Sequence, residues 1–355
     1  RLIDWKLPVN ECTEQAPVTL RGLLSHTAGV TGQGFPGYSP GEALPSLRQI
    51  LDGAPPSNSP PIRVDAVPDR TYRYSGGGYL IVQQLMEDAT GRSFGDLMQE
   101  EVLDRVPMAS STFSQSPPSG RGVMAACGHG FDCVPVRHCG NIYPETAAAW
   151  LWSTPTDLAR LGIMLSESLE GRSITVLNQA TTELMLAKGT DDMGLGPGMH
   201  GEGDGLHFDH AGWNRGFRAY LLVYPLAGKG IVVMANADGG NELIDEIVRS
   251  AARTYRWPDF APQRRDIAAI EPAVLESRVG DYEVREYGIV LSVKRNGDHL
   301  VVDTPRGSSY TFFPATGSDY FAIEDGSALT FIQGTAGAEP ALRVWGMVAL
   351  RRANQ

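Results

Sequence analysis

Three stretches of this 355-residue chain hold side chains able to move protons or bind metal. The first, Tyr74-Ser75-Gly76-Gly77-Gly78-Tyr79, places a phenol beside a hydroxyl and three glycines. A phenol ionises at a pKa of about 10, so it serves as a base near neutrality only where a neighbouring cation pulls that value down. Without such a cation the string is a glycine-rich turn before a helix. The second, His210-Ala211-Gly212, offers an imidazole, which titrates near neutral pH; the plain alternative is a histidine satisfied at the start of a strand. The third is Cys127-Gly-His129-Gly-Phe-Asp-Cys133-Val-Pro-Val-Arg-His138-Cys139. A metal there needs three or four of these Cys and His side chains to converge, and the spacing lacks the paired cysteines of ordinary zinc sites. A disulfide or plain thiols read better, and a disulfide implies an oxidising compartment. The pairing among Cys12, Cys127, Cys133 and Cys139 stays open, and no metal or other cofactor is expected.

Composition narrows the function classes. With 42% hydrophobic and 20% charged residues the chain is globular and long enough for one large domain and a small one. A formal net charge of −11 without a block of Lys or Arg argues against nucleic acid or an anionic membrane as main partner and favours a small-molecule or peptide substrate. No apolar run approaches the ~20 residues of a membrane span. Arg1-Leu2-Ile3-Asp4 has neither an initiator Met nor the layout of a signal peptide, so the chain is expected to be a product of cleavage or truncation.

The elements that must position these residues follow from caps and periodicity. Val18–Gly29 reads as a short helix capped by Thr19 and ended by Gly29. Val30–Tyr72, rich in Gly, Pro and Ser, reads as a surface lobe packed on a helical subdomain, with one helix near Pro45–Leu51. Helical spacing from Tyr79 to Ala89 stops at Gly91, and Ser93 with Asp96 caps a second helix through Leu103. Thr154-Pro155 opens a third toward Gly171, and a fourth lies near Asn178–Lys188. Tyr220–Tyr224 and Ile231–Asn236 read as two antiparallel strands that His210-Ala-Gly212 leads into. A helix whose apolar face is Leu243, Ile244, Ile247, Val248, Ala251, Ala252 and Tyr255 should cover them. Beyond Trp257-Pro258, short strands follow: a hairpin Ile289–Val293 and Leu300–Val302 turning at Asn296-Gly297, then Tyr310–Phe313, Tyr320–Ile323, Leu329–Ile332 and Leu342–Met347. The predicted domains are 1–258 and an all-β domain over 266–355.

Leu23-Leu-Ser-His-Thr-Ala-Gly29, Tyr74-Ser-Gly-Gly-Gly-Tyr79, Tyr143-Pro-Glu-Thr-Ala-Ala-Ala149 with Trp152-Ser-Thr-Pro-Thr-Asp-Leu158, and His210-Ala-Gly-Trp-Asn-Arg-Gly216 come in an order and spacing that resemble the serine β-lactamase-like family. That family groups class C β-lactamases, penicillin-binding proteins, D-aminopeptidases and esterases. The resemblance covers about Arg1 to Trp257. It implies an α+β fold: an antiparallel sheet flanked by helices plus an all-α subdomain, followed here by a small all-β, lipocalin-like domain. It implies that Tyr74 relays protons beside a nucleophile and that His210 supplies a donor. Gly212 would let the substrate backbone approach, and the Trp213 N–H would serve an oxyanion hole, with Ser75 and Gly76 also lining the substrate site. Gly76 stands where the family's tyrosine motif has Asn, which puts lactam recognition in doubt. His26 is expected to bond backbone in the loop that shapes the site, and Trp150 either narrows the pocket or packs.

The family's nucleophile motif, Ser-x-x-Lys, is absent. The four lysines are Lys6, Lys188, Lys229 and Lys294, and the residues three before them are Ile3, Met185, Leu226 and Leu291. The family fold also takes outer strands from its N-terminus, so the expectation is a companion N-terminal fragment carrying Ser-x-x-Lys, or a longer chain in which that segment precedes Arg1. The resulting expectation is an exported serine hydrolase, periplasmic or extracellular, acting on an amide or ester through an acyl-enzyme, peptidase or esterase rather than β-lactamase. The alternative is a catalytically inactive pseudoenzyme or binding protein of the same fold.

Overall fold

The computed structural model describes residues 2–115, 119–120, 123–260, 264–285, 289–305, 309–323, 326–332, 340–345 and 347–352. The chain divides into two compact units, Arg1–Ala261 and Pro262–Gln355.

In the first unit, local capping starts the helices. Thr19 Oγ1 accepts the Gly22 N–H at 3.0 Å and opens a helix over Leu20–Leu24. It ends at Ser25 rather than at Gly29, because the backbone turns left-handed at His26, φ +58°. Helices Leu47–Asp52 and Gly76–Thr90 follow, the second closed by Gly91 in the left-handed conformation. Phe94–Met98, capped by Ser93, continues as a wide turn through Leu103. Trp5, Leu23, Val30, Ile50, Leu51, Ile62, Val64, Leu80 and Ile81 form one apolar core among these elements. The Gly/Pro-rich stretch packs on the helices as expected, with Val30 and Val64 bridging, and its apolar residues share that core.

The sheet has four strands in the order Gly198–His200, His207–Asn214, Phe217–Tyr224 and Lys229–Ala235, every pair antiparallel. His210-Ala-Gly212 thus lies inside a strand rather than leading into one. That strand escaped the periodicity because His210 through Trp213 are all exposed and carry no alternating apolar pattern. Helix Pro155–Leu169, capped by Thr154 with Pro at its first position, buries Met164 and Leu165 with Phe208 and Val223 on one face of the sheet. Helix Gly240–Tyr255 buries Ile244, Val248 and Ala252 with Leu222, Tyr224 and Val233 on the other. Each of these large side chains contributes about 1.5–3 kcal/mol by leaving water. Leu243, Ile247 and Tyr255, predicted for the same covering face, remain exposed because the stripe is wider than the sheet surface it meets.

The second unit is a closed eight-stranded antiparallel barrel. Its strands are Gly280–Val284, Ile289–Asn296, His299–Asp303, Ser309–Pro314, Asp319–Ala322, Ala328–Ile332, Ala341–Val344 and Met347–Arg351. Neighbours in sequence pair, and the last strand returns to the first through Leu350 opposite Glu283, which leaves no edge. Inward residues including Tyr282, Leu291, Leu300, Phe312, Leu329 and Leu342 pack with Leu275 of the helix Pro272–Arg278. The run Leu342–Met347 breaks into two strands at Trp345, φ +50°, with Gly346 outside the described residues. The first hairpin turns on Gly297-Asp298, one residue later than predicted.

Candidate active site

The tyrosine motif opens a helix. Ser75 is its N-cap: the hydroxyl accepts the Gly78 N–H at 2.9 Å and donates to the Thr31 carbonyl at 2.7 Å, and the residue is 2% exposed. Ser75, predicted to contact substrate, spends its hydroxyl inside the fold instead. Gly77 is required by close approach, since a Cβ there would sit 2.4 Å from the Thr31 carbonyl oxygen. A Cβ at Gly76 would meet Phe35 Cε2 at 3.0 Å and Ala148 Cβ at 3.4 Å. Where the family pattern has a side-chain amide, this chain has an apolar contact.

Tyr74, 37% exposed, lies at the rim of the helical part of the unit. Its ring is 4.3 Å from that of buried His26 and 6.5 Å from that of His210, centroid to centroid. Burial against these neighbours raises the Tyr74 pKa. Tyr74 is a proton donor at neutral pH unless a cation is brought beside it. His210 is open to solvent on the strand surface yet walled by surrounding atoms, and this loss of hydration lowers its pKa, with Asp209 opposing. Its imidazole is neutral at pH 7.

The strand bearing His210 is paired on one side from Phe208 through Asn214, but on the other only through Asp209. Among the described residues its edge from His210 to Asn214 is open, and alternate residues direct N–H and C=O groups to such an edge. Gly212 lies in this stretch, and among the described residues a Cβ there would meet only Ala219 Cβ, at an ordinary 3.6 Å. The fold itself therefore leaves room at Gly212. Side chains alternate across the sheet, so the Trp213 indole faces away from His210. It is 65% exposed with the Arg218 guanidinium 5.7 Å from its ring centroid, and only its backbone can serve the His210 side.

The hairpin tip is held from several directions. Arg218 pairs with Asp238 at 3.0 Å, and Asp238 also accepts the Gly216 N–H at 2.8 Å. Asn214 Nδ2 donates to the Ala149 carbonyl at 2.7 Å, and the Arg215 N–H to Tyr143 Oη at 3.0 Å. Gly216, φ +81°, packs on Gly128, where a Cβ on Gly216 would come 2.8 Å from Gly128 Cα. Gly128 follows Cys127, which is disulfide-bonded to Cys139; Cys12 and Cys133 are free. Two sulfurs of the Cys/His stretch are thus spent in a crosslink that braces the hairpin. Among the described residues no group of three or more His, Cys, Asp or Glu is arranged to hold a metal.

Trp150 is packing: buried, it donates from Nε1 to the Ser114 carbonyl at 2.7 Å and stands against Tyr143 and Trp152. Phe35 and Glu145 carry no functional signal of their own in the sequence. Glu145 is 0% exposed, no other residue among the described ones hydrogen-bonds its carboxylate oxygens, and burial raises its pKa to about 7 against the opposing pull of its own backbone N–H. Only its place in the Tyr143–Ala149 stretch could have drawn attention to it.

A helix opening on Tyr-Ser-Gly across from an open His-x-Gly strand edge, between a helical layer and an antiparallel sheet, defines a β-lactamase-type fold. The sequence model of the beta-lactamase family matches residues 1–254, and the chain belongs to that family. It is similar to penicillin-binding protein 4 of Amycolatopsis lactamdurans, 28% identical over 293 residues that cover 76% of this chain and 73% of the relative. Among solved structures it resembles SurE with D-Leu, at a TM-score of 0.55 and 21% identity over 98% of this chain and 82% of that one. It also resembles the octameric penicillin-binding protein homologue from Pyrococcus abyssi, at 0.57 and 17% over 97% and 83%. These structures share its fold.

Proposed function

We propose that this chain forms most of a serine hydrolase that cleaves an amide or ester through an acyl-enzyme, with the nucleophile and its lysine on a companion segment. The observation that carries the reading is the facing of Tyr74 and His210 beside the open, Gly212-containing strand edge. An acyl group laid along that edge presents its carbonyl to the Trp213 N–H, which with the N–H of the nucleophile stabilises the oxyanion. The serine hydroxyl adds to the carbonyl carbon, and its proton is taken up by the lysine–Tyr74 pair once the cation lowers the phenol. Tyr74 then returns a proton to the leaving amine or alcohol as the C–N or C–O bond breaks, and water later cleaves the acyl-serine. His210, neutral, orients substrate by hydrogen bonding.

Peptidase or esterase chemistry is favoured over lactam hydrolysis because a side chain at Gly76, where an amide would bind a lactam carbonyl, would run into Phe35 and Ala148. D-Leu named with SurE and the penicillin-binding relative are in keeping with an amide or peptide substrate. The Cys127–Cys139 disulfide and the same relative support export. Among the described residues no helix is long and apolar enough to cross a membrane.

The raised pKa of Tyr74 favours a second reading, a binding protein that keeps the cleft without chemistry. Intact-mass analysis of the native protein after fluorophosphonate treatment separates the two. Labelling of a serine in a Ser-x-x-Lys segment, attached or co-purifying, supports the hydrolase, and absence of any adduct under native conditions sinks it.

A further inference from the structure

Tyr74 is 37% exposed, 6.5 Å from the His210 ring, and among the described residues its hydroxyl makes no hydrogen bond within the chain, so something else must hold the ring in place. His26 grips three consecutive residues around it. The His26 carbonyl accepts the Arg73 N–H at 2.8 Å, the His26 ring lies 4.3 Å from the Tyr74 ring and inclined 36° to it, and His26 Nδ1 accepts the Ser75 N–H at 3.1 Å. The ring is also flanked by Tyr79 at 5.3 Å and Tyr72 at 6.0 Å.

His26 itself is rigidly presented. It is 3% exposed and sits at φ +58°, a left-handed turn between Ser25 and Thr27. The Thr27 N–H donates to the Gly22 carbonyl at 2.8 Å, and Thr27 Oγ1 donates to Asp69 at 3.1 Å. Because Nδ1 accepts a backbone N–H, the proton of the neutral imidazole resides on Nε2. Burial, reinforced by His210, lowers the His26 pKa to about 4, so this tautomer persists at neutral pH.

We propose that His26 is a positioning residue for Tyr74, a neutral Nε2–H imidazole that clamps the backbone on both sides of the tyrosine and seats its ring toward His210. Any consequence for catalysis rests on the serine hydrolase reading, but the clamp does not.

Nitrogen NMR of histidine-labelled protein at pH 7 should show His26 with Nδ1 unprotonated and Nε2 protonated; the opposite tautomer overturns the clamp. His26→Phe keeps a flat ring but removes the acceptor. His26→Asn places a carboxamide oxygen close to the Nδ1 position and tolerates the left-handed backbone. Loss of one hydrogen bond predicts about tenfold faster amide exchange at Ser75 in His26→Phe. The Gly78 amide, held by Ser75 Oγ, should change far less, and His26→Asn should restore protection at Ser75. Equal Ser75 exchange in wild type and His26→Phe, or equal loss at Ser75 and Gly78 in both variants, overturns the proposal. If His26→Phe does not fold, the wild-type tautomer and the His26→Asn exchange decide. In protein that fluorophosphonate labels, His26→Phe should slow labelling about tenfold with partial rescue in His26→Asn, on the same hydrogen-bond arithmetic. If wild type does not label, the hydrolase reading fails while the exchange data still judge the clamp.

Discussion

Replacing Glu145 with Gln should remove a large part of the pH dependence of stability in the first unit. The carboxyl is 0% exposed, no other residue among the described ones hydrogen-bonds either oxygen, and burial raises its pKa from 4.5 to about 7. Its titratable neighbour is Tyr143, whose own pKa rises mainly by burial. Below about pH 4.5 both folded and unfolded chains hold the proton, and this residue's linkage stabilisation is fully present. Between there and about 7 the unfolded chain releases the proton while the folded one keeps it, so stability falls by up to about 1.4 kcal/mol per pH unit. The total loss is at most about 3 kcal/mol above pH 7. Glu145→Gln keeps the shape without the ionisation. Urea unfolding followed by tryptophan fluorescence at pH 5, 6, 7 and 8 should show the variant near wild type at pH 5 and more stable by roughly 2–3 kcal/mol at pH 8. Parallel stability curves for the two proteins over that range would refute the reasoning. A functional echo is expected, because the Glu145 carbonyl accepts the Ala148 and Ala149 N–H groups at 3.1 and 2.8 Å in the turn whose Ala149 carbonyl holds Asn214.

Tyr74→Phe should slow fluorophosphonate labelling by about 10²–10⁴-fold. Its melting temperature should barely move, because among the described residues the phenol hydroxyl makes no hydrogen bond. Gly77→Ala forces a Cβ to 2.4 Å from the Thr31 carbonyl and should cost at least about 2 kcal/mol by urea unfolding. Among the described residues Gly212→Ala meets only Ala219 at 3.6 Å, so it should leave the urea midpoint within about 1 kcal/mol while slowing labelling by crowding the edge. Opening the Cys127–Cys139 crosslink, by reduction or by Cys127→Ala with Cys139→Ala, should lower the stability of the first unit by about 2–3 kcal/mol. An unchanged midpoint under reducing conditions would show that the loop does not brace the hairpin.

Much of this protein is legible without coordinates where the governing interaction is local. Thr19, Ser93 and Thr154 announce their helices because a cap joins residues three apart, and Gly91 announces a stop because glycine accepts the left-handed turn. The barrel strands alternate because every second side chain must point inward, and four motifs in order suffice for the family. What the tertiary structure decided concerns partners far apart in the chain. His26 meets Arg73 to Ser75, Phe35 meets Gly76, and Cys127 takes Cys139 rather than Cys133. The first and last barrel strands join only when the sheet closes, so neither Gly280–Val284 nor the break at Trp345 stood out. Glu145 looks like any surface glutamate in the sequence; its missing partners and raised pKa arise from the side chains that the fold packs around it, and burial is a property of the assembled core rather than of the residue.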